Sequence, residues 1–150
     1  MKILVLGHTG MLGNAVYKHL SSIHHEVEIT THRWPKEGFI KEMLSFNGDY
    51  IVNCIGAIPQ RTDDFVINYD LPIWLDKNVK GKIIHPGTDC EMDNDHYGIS
   101  KVNASDYIKN DGKRTKIIKT SIIGHELKGV VSLLNWFLTR EGVVSGYTNA

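Results

Sequence analysis

Short β-branched apolar runs alternate along the chain with amphipathic stretches that repeat at helical spacing. Five apolar runs predict strands, and they are Lys2–Leu6, Glu26–Thr31, Asp49–Ile55, Lys82–His85 and Thr115–Thr120. Strands that alternate with helices are typical of βαβ units around a parallel sheet.

The amphipathic stretches predict the helices of these units. They are Met11–Leu20, Lys36–Phe46, Phe65–Lys77, Tyr97–Lys109 and Gly129–Arg140. With right-handed crossovers, the units build an open, doubly wound α/β sheet (a Rossmann fold) with helices on both faces. In such a sheet a ligand binds at the carboxyl ends of the strands, near the point where the strand order reverses.

Composition restricts the kind of protein this is. A chain of 150 residues with 41% hydrophobic residues predicts one soluble domain with its own core. The 17 basic and 17 acidic residues are interspersed, which argues against a nucleic-acid partner. The apolar run Ile3–Leu6 is too short for a signal sequence or a membrane span, so we expect no membrane partner and a cytoplasmic location.

Histidines and cysteines give no sign of a metal centre. The eight histidines, among them His19, His24 and His25, form no HxH or HxxxH pair, and we expect solvated or capping roles for them. Cys54 and Cys90 show no CxxC spacing and are too few for a disulfide framework. We therefore predict no bound metal and a reducing compartment.

A glycine-rich turn joins the first strand to the first helix. Its predicted cofactor-binding residues are Gly7, Thr9, Gly10, Met11, Leu12 and Gly13. Glycines let the backbone turn tightly and approach a pyrophosphate, whose charge is then met by the free N–H groups of the helix N-terminus. This pattern predicts a dinucleotide site; the alternative is a tight turn that binds no ligand.

The end of the second strand favours one dinucleotide over the other. An NAD site normally has a carboxylate here for the ribose 2′-hydroxyl, but this chain has His32 and Arg33. A guanidinium suits a 2′-phosphate, so the sequence favours NADP(H) over NAD(H). The alternative for Arg33 is an ordinary surface residue.

Tyr97 and Lys101 stand four residues apart and so share one face of the fourth helix. A lysine ammonium lowers the pKa of a neighbouring phenol, which can then act as a general acid or base. Thr88 follows the preceding strand, where its hydroxyl can bond a substrate carbonyl. The alternative is a surface tyrosine with a solvated lysine.

These motifs together resemble the extended short-chain dehydrogenase/reductases. Within that superfamily the chain is most similar to the sugar-nucleotide-modifying, dTDP-4-dehydrorhamnose reductase-like branch. The resemblance spans the whole chain, and its segments in order are GHTGMLG, IVNCIGAIPQ, INYDLP, GTDC, YGISK, KTSIIGHEL and WFL with GYTNA.

The resemblance implies a catalytic set of Thr88, Tyr97 and Lys101. Tyr97 would protonate the substrate carbonyl oxygen as hydride arrives from the nicotinamide, and Lys101 would also hold the nicotinamide ribose. The implied activity is NAD(P)H-dependent reduction of a 4-keto nucleotide sugar in surface polysaccharide biosynthesis.

The resemblance also assigns cofactor contacts outside the glycine loop. Asn53, Ile55 and Gly56 would line the ribose and adenine of the cofactor, and Asn68 would lie near the catalytic lysine. The alternative for Asn68 is a polar side chain that bonds to the backbone where Pro72 interrupts the helix.

The residues after Thr88 bear on the type of reaction. Family dehydratases have an Asp-Glu pair there, but this chain has Asp89 and Cys90, and Glu91 is one position out of register. The sequence therefore favours a reductase over a 4,6-dehydratase.

The chain also departs from the family in its length. The β3 edge strand of the order 3-2-1-4-5-6 is reduced or missing, which leaves 2-1-4-5-6. Eight residues, Asp89 to His96, replace a longer flap before Tyr97, and we expect the family's C-terminal substrate lobe to be largely absent from residues 1–150.

Two alternative functions stay open. One is a sugar-nucleotide epimerase with tightly held NAD, and the other is a non-catalytic dinucleotide-binding module. The last predicted helix carries Trp136 and Phe137; we expect it to be core, and the alternative is the face of a homo-oligomer.

Overall fold

The computed structural model describes residues 1–88, 91, 94–121 and 124–146. Its strands are β1 (Lys2–Leu6), β2 (Glu26–Ile29), β3 (Tyr50–Asn53), β4 (Lys82–Gly87) and β5 (Thr115–Lys119). Its helices are α1 (Met11–Ile23), α2 (Glu37–Ser45), α3 (Ile67–Asn78), α4 (His96–Asn110) and α5 (Leu133–Leu138). Within these ranges, no helix has both the length and the hydropathy that a bilayer crossing requires.

All five strands are parallel and lie in the order β2-β1-β3-β4-β5. The chain reverses direction after β2 and returns past β1, so the switch point lies between β1 and β3. This is a Rossmann-like α/β fold, as predicted. The predicted strand order, 2-1-4-5-6 of the order 3-2-1-4-5-6, is also confirmed, because β3, β4 and β5 follow β1 directly across the sheet.

Five strand ends differ from the predicted boundaries by one or two residues: β3 is Tyr50–Asn53 instead of Asp49–Ile55, β5 ends at Lys119 instead of Thr120, and the ends of β2 and β4 also move. β2 ends at Ile29 because the Thr30 hydroxyl donates to Glu42 and accepts a hydrogen bond from the His32 N–H at 3.1 Å, which turns the chain away from the sheet. β4 continues to Gly87 because β5 pairs with it from Ile83 as far as Gly87, which lies opposite Lys119.

The main core lies between the sheet and the helices α2 and α3. Its most deeply buried members come from the sheet and from these two helices, and they are Leu4, Leu6, Phe39, Met43, Ile51, Leu71, Leu75 and Ile83. Right-handed crossovers place α2, α3 and α4 on this face of the sheet and α1 on the other. Helices thus lie on both faces, as predicted.

Helix α5 is shorter than predicted, and the prediction that it belongs to the core is wrong. None of its residues is buried, and Leu133, Phe137 and Leu138 are 62%, 54% and 61% exposed. Ser132 caps the helix by accepting from the Asn135 N–H. Leu134 and Trp136 are half-buried, and the other apolar side chains of the helix are exposed.

A buried carboxylate joins α3 to the start of β5. Asp76 is 3% exposed and accepts the N–H groups of Lys113 at 3.0 Å, Arg114 at 2.9 Å and Thr115 at 2.8 Å, together with the Thr115 hydroxyl at 2.8 Å. Burial alone would raise the pKa of Asp76, but these four hydrogen bonds outweigh it and lower the pKa. Asp76 therefore fixes β5 beside β4.

Candidate active site

The glycine loop after β1 has a geometry that only glycine accepts at two positions. Gly7 has φ +79°, and a Cβ there would lie 2.9 Å from the Cys54 carbonyl carbon and oxygen. A Cβ on Gly13 would lie 2.1 Å from the Gly7 oxygen. The missing side chains let β1, α1 and the loop after β3 meet at backbone distance.

The first turn of α1 is open to an anion. Its N-cap is Gly10, whose own N–H closes the loop onto the Gly7 oxygen at 2.9 Å. No side chain caps the helix, and no acidic residue lies in its first turn. Thr9 and Gly10 are exposed, and Met11 and Leu12 are half-buried at the carboxyl edge of the sheet. The cradle therefore fits the pyrophosphate of a dinucleotide.

Two buried asparagines hold the loop after β3. Asn53 is 0% exposed, and its Oδ1 accepts the Ile55 N–H at 3.2 Å. It therefore supports the loop from beneath, whereas Ile55 is half-buried and Gly56 is exposed on the side where a cofactor would lie.

Asn68, on α3, holds the same loop two residues further on. Its amide bonds both backbone groups of Ala57, at 2.7 Å to the nitrogen and 3.0 Å to the oxygen, and it donates to the Ser100 hydroxyl at 3.2 Å. Asn68 thus does bond to the backbone, but to that of Ala57 and not to the groups that Pro72 leaves free in the helix. A Cβ on Gly56 would lie 3.2 Å from Asn68 Oδ1 and 3.4 Å from Lys101 Nζ, so Asn68 and Lys101 flank the same glycine.

The structure brings Thr88, Tyr97 and Lys101 to the carboxyl end of β4. Thr88 directly follows that strand and is 9% exposed. Tyr97 is half-buried in the first turn of α4, and Lys101 follows one turn later at 9% exposed. The Lys101 ammonium lies 5.9 Å from the centre of the Tyr97 ring, whose edge-to-face contact with Phe65 fixes the ring plane.

Burial lowers the pKa of Lys101 below its ordinary value, and the charge of Glu91 opposes that shift. A cation in a weakly solvated position acts strongly on the groups beside it. The ammonium of Lys101 therefore acts on the side chain of Tyr97, whose ring lies beside it.

Glu91, an acidic residue that follows Thr88, is engaged by two side chains of the fold. Its carboxylate accepts from the Ser105 hydroxyl at 2.8 Å and pairs with the Lys119 ammonium at 2.6 Å. Burial acts to raise the pKa of Glu91, but these two partners outweigh it and lower the pKa. Asp89 and Cys90, which the sequence used to favour a reductase, lie outside the described residues.

His85 contradicts the expectation that the histidines are solvated or capping. It lies on β4 beside Asn53, is 2% exposed, and its Nδ1 is 3.2 Å from Asn53 Nδ2. The alternation along β4 could have identified it, since Ile83, His85 and Gly87 share the buried face. Among the residues that the structure describes, no group of three or more His, Cys, Asp or Glu side chains could hold a metal.

We expect His85 to make the protein less stable in mild acid. Burial, aided by the charge of Lys101 and opposed by Glu91, lowers its pKa from 6.5 to about 4. The unfolded chain then binds the proton first, so His85 contributes fully above pH 6.5 and the contribution is lost as the pH falls to 4. The shift corresponds to roughly 3 kcal/mol.

Urea unfolding between pH 4 and pH 7 measures how steeply the free energy of unfolding rises with pH, and we call this the pH slope. His85→Asn should flatten it, whereas His19→Asn, at an exposed position on α1, should leave it unchanged. An equal slope in all three proteins would show that His85 does not cause it.

The loop after β2 leaves Arg33 exposed, three residues beyond the start of the turn at Thr30. His32 is also exposed. Sequence reasoning found no carboxylate at this strand end, but Glu42 reaches it from α2 and accepts the Thr30 hydroxyl. Trp34 anchors the loop, because its ring lies 5.1 Å from Trp74 on α3.

Glu126 makes a set of contacts that sequence reasoning missed, although it lies in the segment KTSIIGHEL. Its side chain is 6% exposed, pairs with Arg61 at 2.7 Å and accepts the N–H groups of Val131 at 2.7 Å and Ser132 at 2.9 Å. It therefore ties the loop after β3 to the entrance of α5. Ile122 and Ile123 of that segment, and residues 147–150 of GYTNA, lie outside the described residues.

Comparison with known proteins supports the fold and leaves the family open. No family model matches the chain. No curated protein matches it significantly. Among solved structures, it is similar to ADP-L-glycero-D-manno-heptose-6-epimerase from Helicobacter pylori, with TM-score 0.63 and 13% identity over 79% of this chain and 53% of that one.

A second similar structure is the capsular polysaccharide assembling protein CapF from Staphylococcus aureus. The TM-score is 0.55 and the identity 22%, over 78% of this chain and 34% of that one. The chain thus spans about half and one third of the two neighbours. At these identities the likeness shows a shared Rossmann-type fold.

Proposed function

We propose that the chain is the dinucleotide-binding part of a short-chain dehydrogenase/reductase-type enzyme that reduces a 4-keto nucleotide sugar with NAD(P)H. The observation that carries the proposal is the buried Lys101 ammonium 5.9 Å from the Tyr97 ring, one helical turn along α4. A non-catalytic binding module has no use for a buried cation beside a phenol at the carboxyl edge of the sheet.

The residues that would hold the dinucleotide belong to three segments. The loop from Gly7 to Gly13 receives the pyrophosphate, and Ile55 and Gly56 lie where the ribose and adenine extend along the sheet edge. The nicotinamide supplies the hydride when it is bound. Lys101, beside Gly56, is placed to bond ribose hydroxyls.

The chain's own residues would handle the proton. Thr88 donates a hydrogen bond to the substrate carbonyl and fixes its direction. Tyr97 gives its phenolic proton to the carbonyl oxygen, and the Lys101 ammonium stabilises the phenolate that remains. General acid catalysis of this kind contributes about 10²–10⁴-fold to a rate.

The direct test follows NADPH absorbance with a panel of keto nucleotide sugars. Oxidation that depends on the sugar supports the reductase. Dinucleotide binding without turnover on any sugar would favour the non-catalytic module, and absence of binding would contradict the assignment of the glycine loop.

An epimerase is the second candidate, because one structural neighbour is named as a sugar-nucleotide epimerase. The same tyrosine and lysine can serve either reaction. Release of the dinucleotide from the purified protein, by acid extraction and absorbance, distinguishes them: retained oxidised cofactor and no net NADPH consumption indicate the epimerase.

We further propose that NADPH is preferred over NADH, because Arg33 is exposed and the Glu42 carboxylate is engaged by Thr30. Arg33→Ala should then weaken NADPH binding about 10-fold and leave NADH binding unchanged, since the guanidinium would contact only the 2′-phosphate. Titration of both cofactors measures this, with Lys36→Ala in the same loop as the matched control. Equal losses for the two cofactors would contradict a 2′-phosphate contact.

A further inference from the structure

A chain of hydrogen bonds runs from the loop after β3 into the sheet. The Ile55 N–H is a fixed donor, so the atom of Asn53 that faces it, at 3.2 Å, must be the amide oxygen. The NH₂ group of Asn53 then faces His85 Nδ1 at 3.2 Å, which must accept. The imidazole of His85 is therefore neutral and carries its proton on Nε2.

This chain fixes one end of a short loop segment, and Asn68 fixes the other. Asn53 holds Ile55, and Asn68 holds both backbone groups of Ala57. Gly56 lies between these anchors, where a Cβ would come within 3.4 Å of Lys101 Nζ. The orientation of the Asn53 amide therefore sets how closely this backbone approaches Lys101.

We propose that His85 is a positioning residue, which orients the Asn53 amide and thereby holds Ile55–Ala57 in place beside Lys101 for the bound dinucleotide. The inference rests on the proposed function for its ligand. Asn53 is fully buried, so a partner without an acceptor would leave its NH₂ group with neither a protein bond nor water. Rotation of the Asn53 amide would then be favoured because it gives the NH₂ group another chance to find an acceptor. That rotation breaks the hydrogen bond from the Ile55 N–H to Asn53 Oδ1.

The test compares His85→Leu, which removes the acceptor, with His85→Asn, whose carboxamide oxygen can replace Nδ1. His85→Gln, whose polar atoms lie one bond further out, is the disrupting variant should the leucine protein not fold. Ile83→Val, two residues earlier on the same buried face, controls for loss of packing.

Two measurements are made on each protein: the hydrogen-exchange rate of the Ile55 amide by NMR without ligand, and the Kd for NADPH. We expect the disrupting variant to speed Ile55 exchange at least 10-fold relative to Ile83→Val and to weaken NADPH binding about 10-fold, with His85→Asn recovering most of both.

Unchanged Ile55 exchange, or faster exchange with unchanged NADPH affinity, would overturn the inference. The same holds if His85→Asn behaves like the disrupting variant. Failure of the wild-type chain to bind either NADPH or NADH would instead show that the proposed function is wrong, so the two failures are distinguishable.

Discussion

Replacing Tyr97 by Phe is expected to lower kcat for keto-sugar reduction by roughly 10²–10⁴-fold while the Kd for NADPH changes little. The substitution removes only the hydroxyl. The ring keeps its edge-to-face contact with Phe65 at 5.7 Å and its place 5.9 Å from the Lys101 ammonium. A loss in kcat without a change in Kd would therefore show that the Tyr97 hydroxyl takes part in the proton transfer.

Tyr107→Phe is the matched control for this experiment. Tyr107 lies on the same helix and is also half-buried, with a lysine ammonium, that of Lys77, 5.0 Å from its ring. It lies away from the carboxyl edge, so its loss should leave kcat within twofold. Equal activity of Tyr97→Phe and the wild type would contradict the catalytic assignment.

The largest effect on stability is expected from Asp76→Ala. The carboxylate accepts four hydrogen bonds at 2.8–3.0 Å from Lys113, Arg114 and Thr115, at the entrance to β5. Alanine would leave both donors of the buried Thr115 without this partner and would also remove the bonds from the exposed Lys113 and Arg114. We expect the free energy of unfolding to fall by about 3–5 kcal/mol, a large part of the 5–15 kcal/mol typical of a domain. Urea unfolding measures the loss.

Two further variants show whether the carboxylate itself is responsible. Asp76→Asn keeps an oxygen for Arg114 and Thr115 and loses the acceptor for the Lys113 N–H, so about 1–2 kcal/mol should be lost. Asp70→Ala, at an exposed position of the same helix, should cost less than about 1 kcal/mol. Equal losses for Asp70→Ala and Asp76→Ala would contradict this account.

The strands and their order were predictable because each depends on a local pattern. The apolar run Lys2–Leu6 and the glycines that follow it determine β1 and the turn into α1 without help from distant residues. The missing edge strand was visible in the short connection between β2 and β3. Right-handed crossovers between these strands then predict the strand order that the structure has, β2-β1-β3-β4-β5.

What the sequence did not predict depends on distant contacts. His85 was misjudged because it lies on the buried face of β4, and residue type alone predicts exposure. Helix α5 was predicted to be core from its apolar residues, but apolar side chains are buried only where another element packs against them. None of its residues is buried. Glu42 was missed because it reaches Thr30 from the next helix.

Asn53 shows the same limit within the candidate site. Its position after β3 was predicted as a cofactor contact, which stays a prediction, and the structure adds that its side chain is buried and bonds His85 and Ile55. The order of motifs along the chain places a residue at the correct edge of the sheet. Whether it faces the ligand or the sheet beneath depends on the register between strands.

The contact between Trp34 and Trp74 restricts which changes in the loop after β2 could alter the proposed cofactor preference without disturbing the fold. The loop that carries Arg33 is joined through these two rings to α3, and Trp34 also packs edge to face on Phe39 in the core. Exchanging the whole loop for one suited to the other cofactor would therefore disturb the interior. Point substitutions at the exposed Arg33 leave both rings in place, so the cofactor preference that we propose could be changed one residue at a time while the fold is preserved.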